Sequence, residues 1–350
     1  MNHYAGATTS RRGNAPVCDL RSDTVTQPDD AMREAMVAAE LGDDVFGDDP
    51  TVTRLEETLA ERTGKEAGLF LTSGTQSNLC AMLAHCGRGE EVIVGRDYHV
   101  FAYEAHGASV LGGLALCPIA VADDGGLDPA AIAAEVKPND SHKPVSRLLS
   151  LENTHNGKPV SLVRMGVAIS AARKAGLSVH LDGARAFNAA AALGCEVADL
   201  AAPVDSVSLC MSKGLGTPAG SVLVGPRDLI TKARRWRKML GGGMRQSGVL
   251  AAAALHALEH NAPRLVKDHD RAADLAALLR DLNAGDVTQA TNMIFFTPAN
   301  GENDALRARL AEHDVLILGG SSGPIRIVLH RGVDDLAYDR AIAAIRSFYG

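Results

Sequence analysis

Two residues in this chain have the chemistry and the setting to act on a bound organic group. Lys213 follows the apolar run Asp205-Ser-Val-Ser-Leu-Cys-Met211 and opens into Ser-Lys213-Gly-Leu-Gly-Thr-Pro-Ala-Gly220. An apolar run that delivers one lysine into a turn of small residues suits a lysine that forms a Schiff base. Asp182 ends a second apolar run, Ser178-Val-His-Leu-Asp182, and is followed by Gly-Ala-Arg185. A lysine for an aldehyde and an aspartate for a pyridinium nitrogen are the two electronic contacts that pyridoxal phosphate requires of a protein.

A phosphate needs its own cradle. Leu69-Phe-Leu-Thr-Ser73-Gly74-Thr75-Gln-Ser-Asn78 reads as a strand, a small polar turn and a helix start. Free N–H groups at a helix N-terminus, with Ser and Thr hydroxyls beside them, suit an anion. The same turn also suits an ordinary helix cap. Asp182 is predicted at the carboxyl end of a strand, where open α/β sheets bind ligands, and Arg185 could grip a substrate carboxylate or pair with Asp182 in a turn. His99, after the run Glu91–Gly95, could stack on a cofactor ring and move protons near neutral pH, or be a loop histidine. Arg326 is the lone charge in Gly323-Pro-Ile-Arg-Ile-Val-Leu-His330, so it is paired internally or aimed at an anion. Gly214-x-Gly216-x-x-x-Gly220 resembles a dinucleotide loop, but the strand-like Ser221–Gly225 follows where such a loop should open a helix.

The elements that must position these groups alternate in type. Short apolar runs at Gly68–Leu71, Glu91–Gly95, Val110–Ala120, Arg147–Glu152, Ser178–Asp182, Ser206–Met211 and Ser221–Gly225 read as strands, several of them buried on both faces. Thr75–His85 and Leu162–Ala175 read as helices between them, which predicts an α/β fold with a mostly parallel sheet. Asp49-Pro50 and Gly64 bracket a capped helix. From Ser247 to about Arg280 the chain reads as helix interrupted at Pro263. Thr291–Phe296 (strand), Asn303–His313 (helix), Pro324–His330 (strand) and Asp334–Tyr349 (helix) then form a small α+β module. The expected division is a mobile tail over 1–17, a large domain over 18–262 and a small domain over 263–350.

At 350 residues the chain has room for two domains, and its composition is that of a globular protein. A net charge of −7 supplies no basic field for nucleic acid. No apolar run approaches the ~20 residues of a membrane helix. Residues 1–12 lack the apolar core of a signal peptide, and Arg11-Arg12 are not followed by one. Six scattered cysteines without a Cys-x-x-Cys pair argue against a zinc site, so no metal-binding residue is expected among them, and they fit a cytoplasmic location.

Taken together, the segments resemble the low-specificity L-threonine aldolases, members of the β-eliminating lyase group with the fold-type-I, aspartate aminotransferase-like architecture. The likeness rests on Asp19-Leu-Arg-Ser-Asp-Thr-Val-Thr26, Gly42-Asp-Asp-Val-Phe-Gly-Asp-Asp-Pro50, Ser73–Asn78, Leu151-Glu-Asn-Thr-His-Asn-Gly157, His180–Arg185, Ser212–Pro218 and Gly241–Gly248. It implies that Lys213 holds the cofactor covalently and that Gly74 and Thr75 hold its phosphate, with Arg245 and Lys238 helping across a subunit interface. It implies further that Asp182 meets the pyridine nitrogen, that His99 stacks on the ring, and that Ser22, Arg185 and Arg326 hold the substrate carboxylate. His142 matches the position of a histidine near the substrate hydroxyl; His99, His142 or a water they hold could be the base there. The implied reaction is reversible cleavage of L-threonine or L-allo-threonine to glycine and acetaldehyde, in a homotetramer built from dimers. The chain departs from the family in its N-terminal extension and in Gly319-Gly-Ser-Ser-Gly-Pro324, a loop able to reshape the substrate pocket. Racemisation or β-elimination on the same scaffold, transamination, and cofactor binding without turnover are the competing readings.

Overall fold

The computed structural model describes residues 17–350, so the expected tail lies outside the described residues except for Val17. The described residues separate into two units. One comprises Pro28–Ser212 and Thr217–His260; the other comprises the segment up to Gln27, Lys213–Gly216 and Asn261–Gly350. The expected boundary at 262/263 therefore falls close to the turn at Asn261, but residues 18–27 and 213–216 are placed differently. The physical reason is pairing. Strand β1 (Cys18–Asp19) is hydrogen-bonded in parallel to a strand at Val315–Leu316, and the Thr26 hydroxyl donates to the Lys213 carbonyl at 2.9 Å.

The larger unit is built on a seven-stranded sheet of β2 (Ala67–Leu71), β3 (Glu90–Gly95), β4 (Ala115–Ile119), β5 (Val145–Glu152), β6 (Ser178–Gly183), β7 (Ser206–Cys210) and β8 (Ser221–Gly225). The spatial order is β2-β8-β7-β6-β5-β3-β4. Strand β8 is antiparallel to both neighbours and the other contacts are parallel. Six strands thus point one way, and the carboxyl ends of β2, β3, β5, β6 and β7 share one edge. β7 and β8 are buried along their whole length, as strands covered on both faces must be. Leu69, Leu71 and Leu223 pack against Cys80, Ala81 and Ala84 of the helix Gly74–His85 and against Leu229, Ile230 and Ala233 of the helix Arg227–Met239.

The helix Pro50–Thr63 forms as its ends demand. Asp49 Oδ1 accepts from the N–H groups of Thr51 and Val52 at 3.1 and 3.0 Å, and Gly64 closes the helix at φ 66°. Asp49 Oδ2 also accepts from Gly248 N–H, where a Cβ would stand 2.5 Å from the carboxylate. One expectation fails in this unit: the run Val110–Ala120 is not one strand. Gly107–Gly112 is helical, Gly113 ends it in the left-handed region, and only Ala115–Ile119 is extended. Val110 and Leu111 point to solvent, so the apolar run carried no burial signal.

A buried ion pair braces the sheet edge. Arg237 Nη2 lies 2.9 Å from Asp44 Oδ2, and Arg237 Nη1 donates to the Phe70 carbonyl at 2.7 Å; both side chains are buried. Arg237→Ala strands a buried carboxylate. It is expected to lower stability by about 3–5 kcal/mol, read as a lower midpoint of chemical unfolding.

The smaller unit holds β9 (Gly285–Ala290), β10 (Met293–Pro298), β11 (Val315–Leu316) and β12 (Ile325–Val328). β9, β10 and β12 form an antiparallel sheet with β10 in the centre. β9 was not expected, because its alternating Asp, Thr and Gln residues leave it only partly buried. The sheet, β1 and the helices Leu265–Asp281, Asn303–Glu312 and Asp335–Tyr349 enclose a core that includes Leu275, Leu279, Ile294, Phe296 and Ile345. The interruption expected at Pro263 is a 3₁₀ turn, Ala262–Arg264.

Candidate active site

Asp182 is the penultimate residue of β6 and is 2% exposed. Its Oδ2 accepts from Asn78 Nδ2 at 2.8 Å and its Oδ1 from the Ala184 N–H at 3.0 Å. Both donors are neutral. Asn78 Nδ2 also donates to Glu104 Oε1 at 2.9 Å, and the same oxygen lies 2.9 Å from His99 Nδ1. One amide therefore ties the strand-end aspartate to the histidine that opens the helix His99–Ala102. Glu152, at the end of β5, accepts from the His99 N–H at 2.6 Å through Oε2, and its Oε1 lies 2.7 Å from His155 Nδ1.

Glu104 is buried against another acid. Burial, chiefly, pushes its carboxyl above the usual range; the Asp182 charge adds to this, while the His99 and Asn78 hydrogen bonds oppose it. When Glu104 is ionised, His99 Nδ1 donates to it and Nε2 is left as the basic nitrogen. His99, Glu104 and Asp182 have ligand atoms within 4.8 Å of one another, a metal-like grouping. The Asn78 amide nitrogen already bridges the two carboxylate oxygens of that grouping.

Gly74 and Thr75 begin the helix whose next turn carries Asn78. Ser73 Oγ caps the Gln76 N–H at 3.2 Å and the Ser73 carbonyl takes the Ser77 N–H, so the Gly74 and Thr75 N–H groups are the donors an anion would use. A Cβ on Gly74 would stand 3.7 Å from Ser221 Oγ, a buried hydroxyl with no hydrogen-bond partner. The Gly241–Gly243 turn closes on this helix start, since a Cβ on Gly242 would meet the Gln76 amide at 2.3 Å. Arg245, beyond that turn, is 60% exposed and lies 3.1 Å from Asp43; Lys238 is exposed too. Arg185 is half-buried at the N-cap of the helix Ala186–Leu193. His142 takes no part in the Asn78 network: its ring is 88% exposed and Nδ1 lies 2.8 Å from Asp140.

The smaller unit holds Ser22, Lys213 and Arg326. Ser22 caps the 3₁₀ turn Asp23–Val25 through the Thr24 N–H. Arg326, on β12, donates from Nη2 to the Arg21 carbonyl at 3.1 Å, which brings it beside Ser22. Lys213 is half-buried, and the turn it begins is held by Thr26 Oγ1 on the Lys213 carbonyl and Asn261 Nδ2 on the Leu215 carbonyl, at 2.9 and 2.7 Å. Gly216 adopts φ 83° there, with Arg331 packed where a Cβ would be. The Gly319–Gly323 loop is pinned by buried Asn303, whose Nδ2 donates to the Gly320 and Gly323 carbonyls.

Sequence reading missed Glu104 and the bridging role of Asn78. The available signal was a polar residue in an apolar setting: Asn78 precedes Leu-Cys-Ala-Met-Leu-Ala on a buried helix face.

A buried aspartate fixed by neutral donors, at the same sheet edge as an open helix N-terminus, fits a cofactor with a protonated ring nitrogen and a phosphate. The chain belongs to the β-eliminating lyase family, whose model matches residues 19–300. It is 50% identical over 330 residues to the low-specificity L-threonine aldolase of Escherichia coli K12, covering 94% of this chain and 98% of that one. It is 46% identical to low-specificity L-threonine aldolase 1 of Arabidopsis thaliana, covering 90% and 91%. A solved threonine aldolase from Leishmania major shares the fold with a TM-score of 0.81 at 21% identity, over 95% of this chain and all of that one.

Proposed function

We infer that the protein is a pyridoxal-phosphate-dependent aldehyde-lyase that cleaves L-threonine, L-allo-threonine and related β-hydroxy-α-amino acids to glycine and an aldehyde. The observation that carries the reading is Asp182, a buried carboxylate whose two hydrogen-bond donors are neutral. When bound, pyridoxal phosphate supplies an electrophilic aldehyde and a protonated ring that accepts the electron pair of a breaking Cα–Cβ bond.

Each residue then has a task. Lys213 Nζ is the amine that would hold the cofactor's aldehyde carbon. Asp182 would keep the proton on the ring nitrogen, and the Gly74 and Thr75 N–H groups would hold the phosphate. His99 would lie against the ring, steadied by Glu104, with Nε2 able to take the proton of the β-hydroxyl. His142, on an exposed turn, has the weaker claim to that proton. Arg326 and Ser22, joined through residue 21, with Arg185, would hold the substrate carboxylate and so set which Cα bond is aligned to break.

Arg326→Lys separates this carboxylate role from a phosphate role. It keeps the charge but loses the two-pronged guanidinium, so KM for the amino acid is expected to rise about tenfold or more. Cofactor affinity should hardly change. Equal weakening of both would move Arg326 to the phosphate.

The assembly we propose is a homotetramer built from dimers, as the resemblance implies. Val37, Phe46 and Met239 are exposed at 89, 77 and 60%, apolar surface suited to burial between copies. Lys238, next to Met239, and Arg245, six residues beyond it, are exposed too, where a second subunit could use them. Light scattering should give four times the 36.6 kDa chain mass. A cytoplasmic setting is proposed from the six free cysteines. Among the described residues no helix is long and apolar enough to cross a membrane.

A further inference from the structure

Behind Asp182 runs a buried hydrogen-bond chain that the reaction itself does not call on. Asn78 Oδ1 lies 3.2 Å from His180 Nε2, His180 Nδ1 lies 2.8 Å from Ser206 Oγ, and Ser206 Oγ lies 2.8 Å from His85 Nε2. The direction of this chain follows from donor counting. An amide oxygen only accepts, so His180 Nε2 carries the hydrogen. His180 is fully buried, and burial, aided by nearby His85 and opposed by the Ser206 backbone, holds its pKa down to about 3, so the ring is neutral; with the hydrogen on Nε2, Nδ1 is left as an acceptor. Ser206 therefore donates its single hydrogen to His180 and accepts from His85 Nε2–H. His85 is likewise neutral, burial holding its pKa near 4 against the pull of Asp205.

We propose that His180, through the Nε2–H it presents to Asn78 Oδ1, is a positioning residue that holds the Asn78 amide with its NH₂ facing Asp182 and Glu104. Ionised, the two carboxylates favour that orientation, but Glu104 supports it less once protonated. Burial raises Glu104, and a protonated Glu104 can donate to an amide oxygen as readily as an ionised one accepts from the nitrogen. A flipped Asn78 would set its oxygen 2.8 Å from Asp182 Oδ2 and turn an attraction into a repulsion. With His180 occupying Oδ1, the flip loses a hydrogen bond and faces an N–H donor with its own NH₂. Asp182 is then held ready for a protonated ring nitrogen. This rests on the cofactor reading above.

The test compares two ligands that differ only where Asp182 acts: pyridoxal phosphate and its analogue with CH in place of the ring nitrogen. Both are titrated into cofactor-free protein and binding is read optically. His180→Phe keeps the shape and removes the donor. It should weaken pyridoxal phosphate about tenfold and leave the analogue within about twofold. His180→Gln, with an amide N–H able to reach Asn78, should recover most of the loss. Equal weakening of both ligands, no weakening, or a Gln variant as poor as Phe would overturn the proposal. Ser206→Ala removes only a hydroxyl and guards against a misfolded Phe variant. It should shift the two affinities the same way by about threefold, and an unchanged ratio would also overturn it. A parent protein that binds the cofactor yet releases no aldehyde would sink the aldolase reading and leave this ligand comparison intact.

Discussion

Lys213→Ala is expected to lose the visible absorption of the bound cofactor and to lower turnover by more than about 10³-fold. Lys213 begins a turn fixed from two sides, by Thr26 on its own carbonyl and by Asn261 on the Leu215 carbonyl. Neither contact uses the lysine side chain, so its truncation leaves the turn intact. The side chain is half-buried rather than core, so the variant should keep the parent's unfolding midpoint. Loss of colour and activity without loss of stability is the signature of a covalent anchor. An unaltered visible spectrum in this variant would remove Lys213 from the chemistry.

Asp182→Asn should cut kcat by on the order of 10²–10³-fold, the usual effect of deleting one preorganised charge contact. The effect has two parts. The negative charge that would keep the ring nitrogen protonated disappears. In addition, both Asp182 oxygens accept from N–H groups, so an amide there must turn its own NH₂ toward Asn78 or Ala184. Covalent attachment at Lys213 should survive, which separates this variant from Lys213→Ala. The parent KM for the amino acid should hold within a few-fold, because the substrate carboxylate is assigned to Arg326, Ser22 and Arg185 and not to Asp182. A kcat within about tenfold of the parent would show that ring protonation does not depend on Asp182.

Much of this was written in the sequence, and the residues show where legibility ended. β6, β7 and β8 are short apolar runs, too short for helices, and they lie in the sheet as read. Asp49, Pro50 and Gly64 are local signals for a helix whose bounds depend on nothing distant. Gly107–Gly112 was misread because apolar content stood in for burial, and Val110 and Leu111 are exposed. The grouping of residues 18–27 with the C-terminal unit was illegible, since β1 is two residues long and its partner lies almost three hundred residues away. Among the candidate residues, Lys213, Asp182 and Arg326 stood out as single charges in apolar or small-residue surroundings. Glu104, Asn78 and His180 did not, because their meaning lies in hydrogen bonds between elements far apart in the chain.

The most direct measurement is release of glycine and acetaldehyde from L-threonine and L-allo-threonine, with the visible spectrum recorded on the same protein. A coloured protein is expected that releases both products from at least one of the two substrates, with the ratio of rates reporting its β-carbon preference. A coloured protein that frees no aldehyde from either substrate would contradict it and hand the chemistry to racemisation or β-elimination.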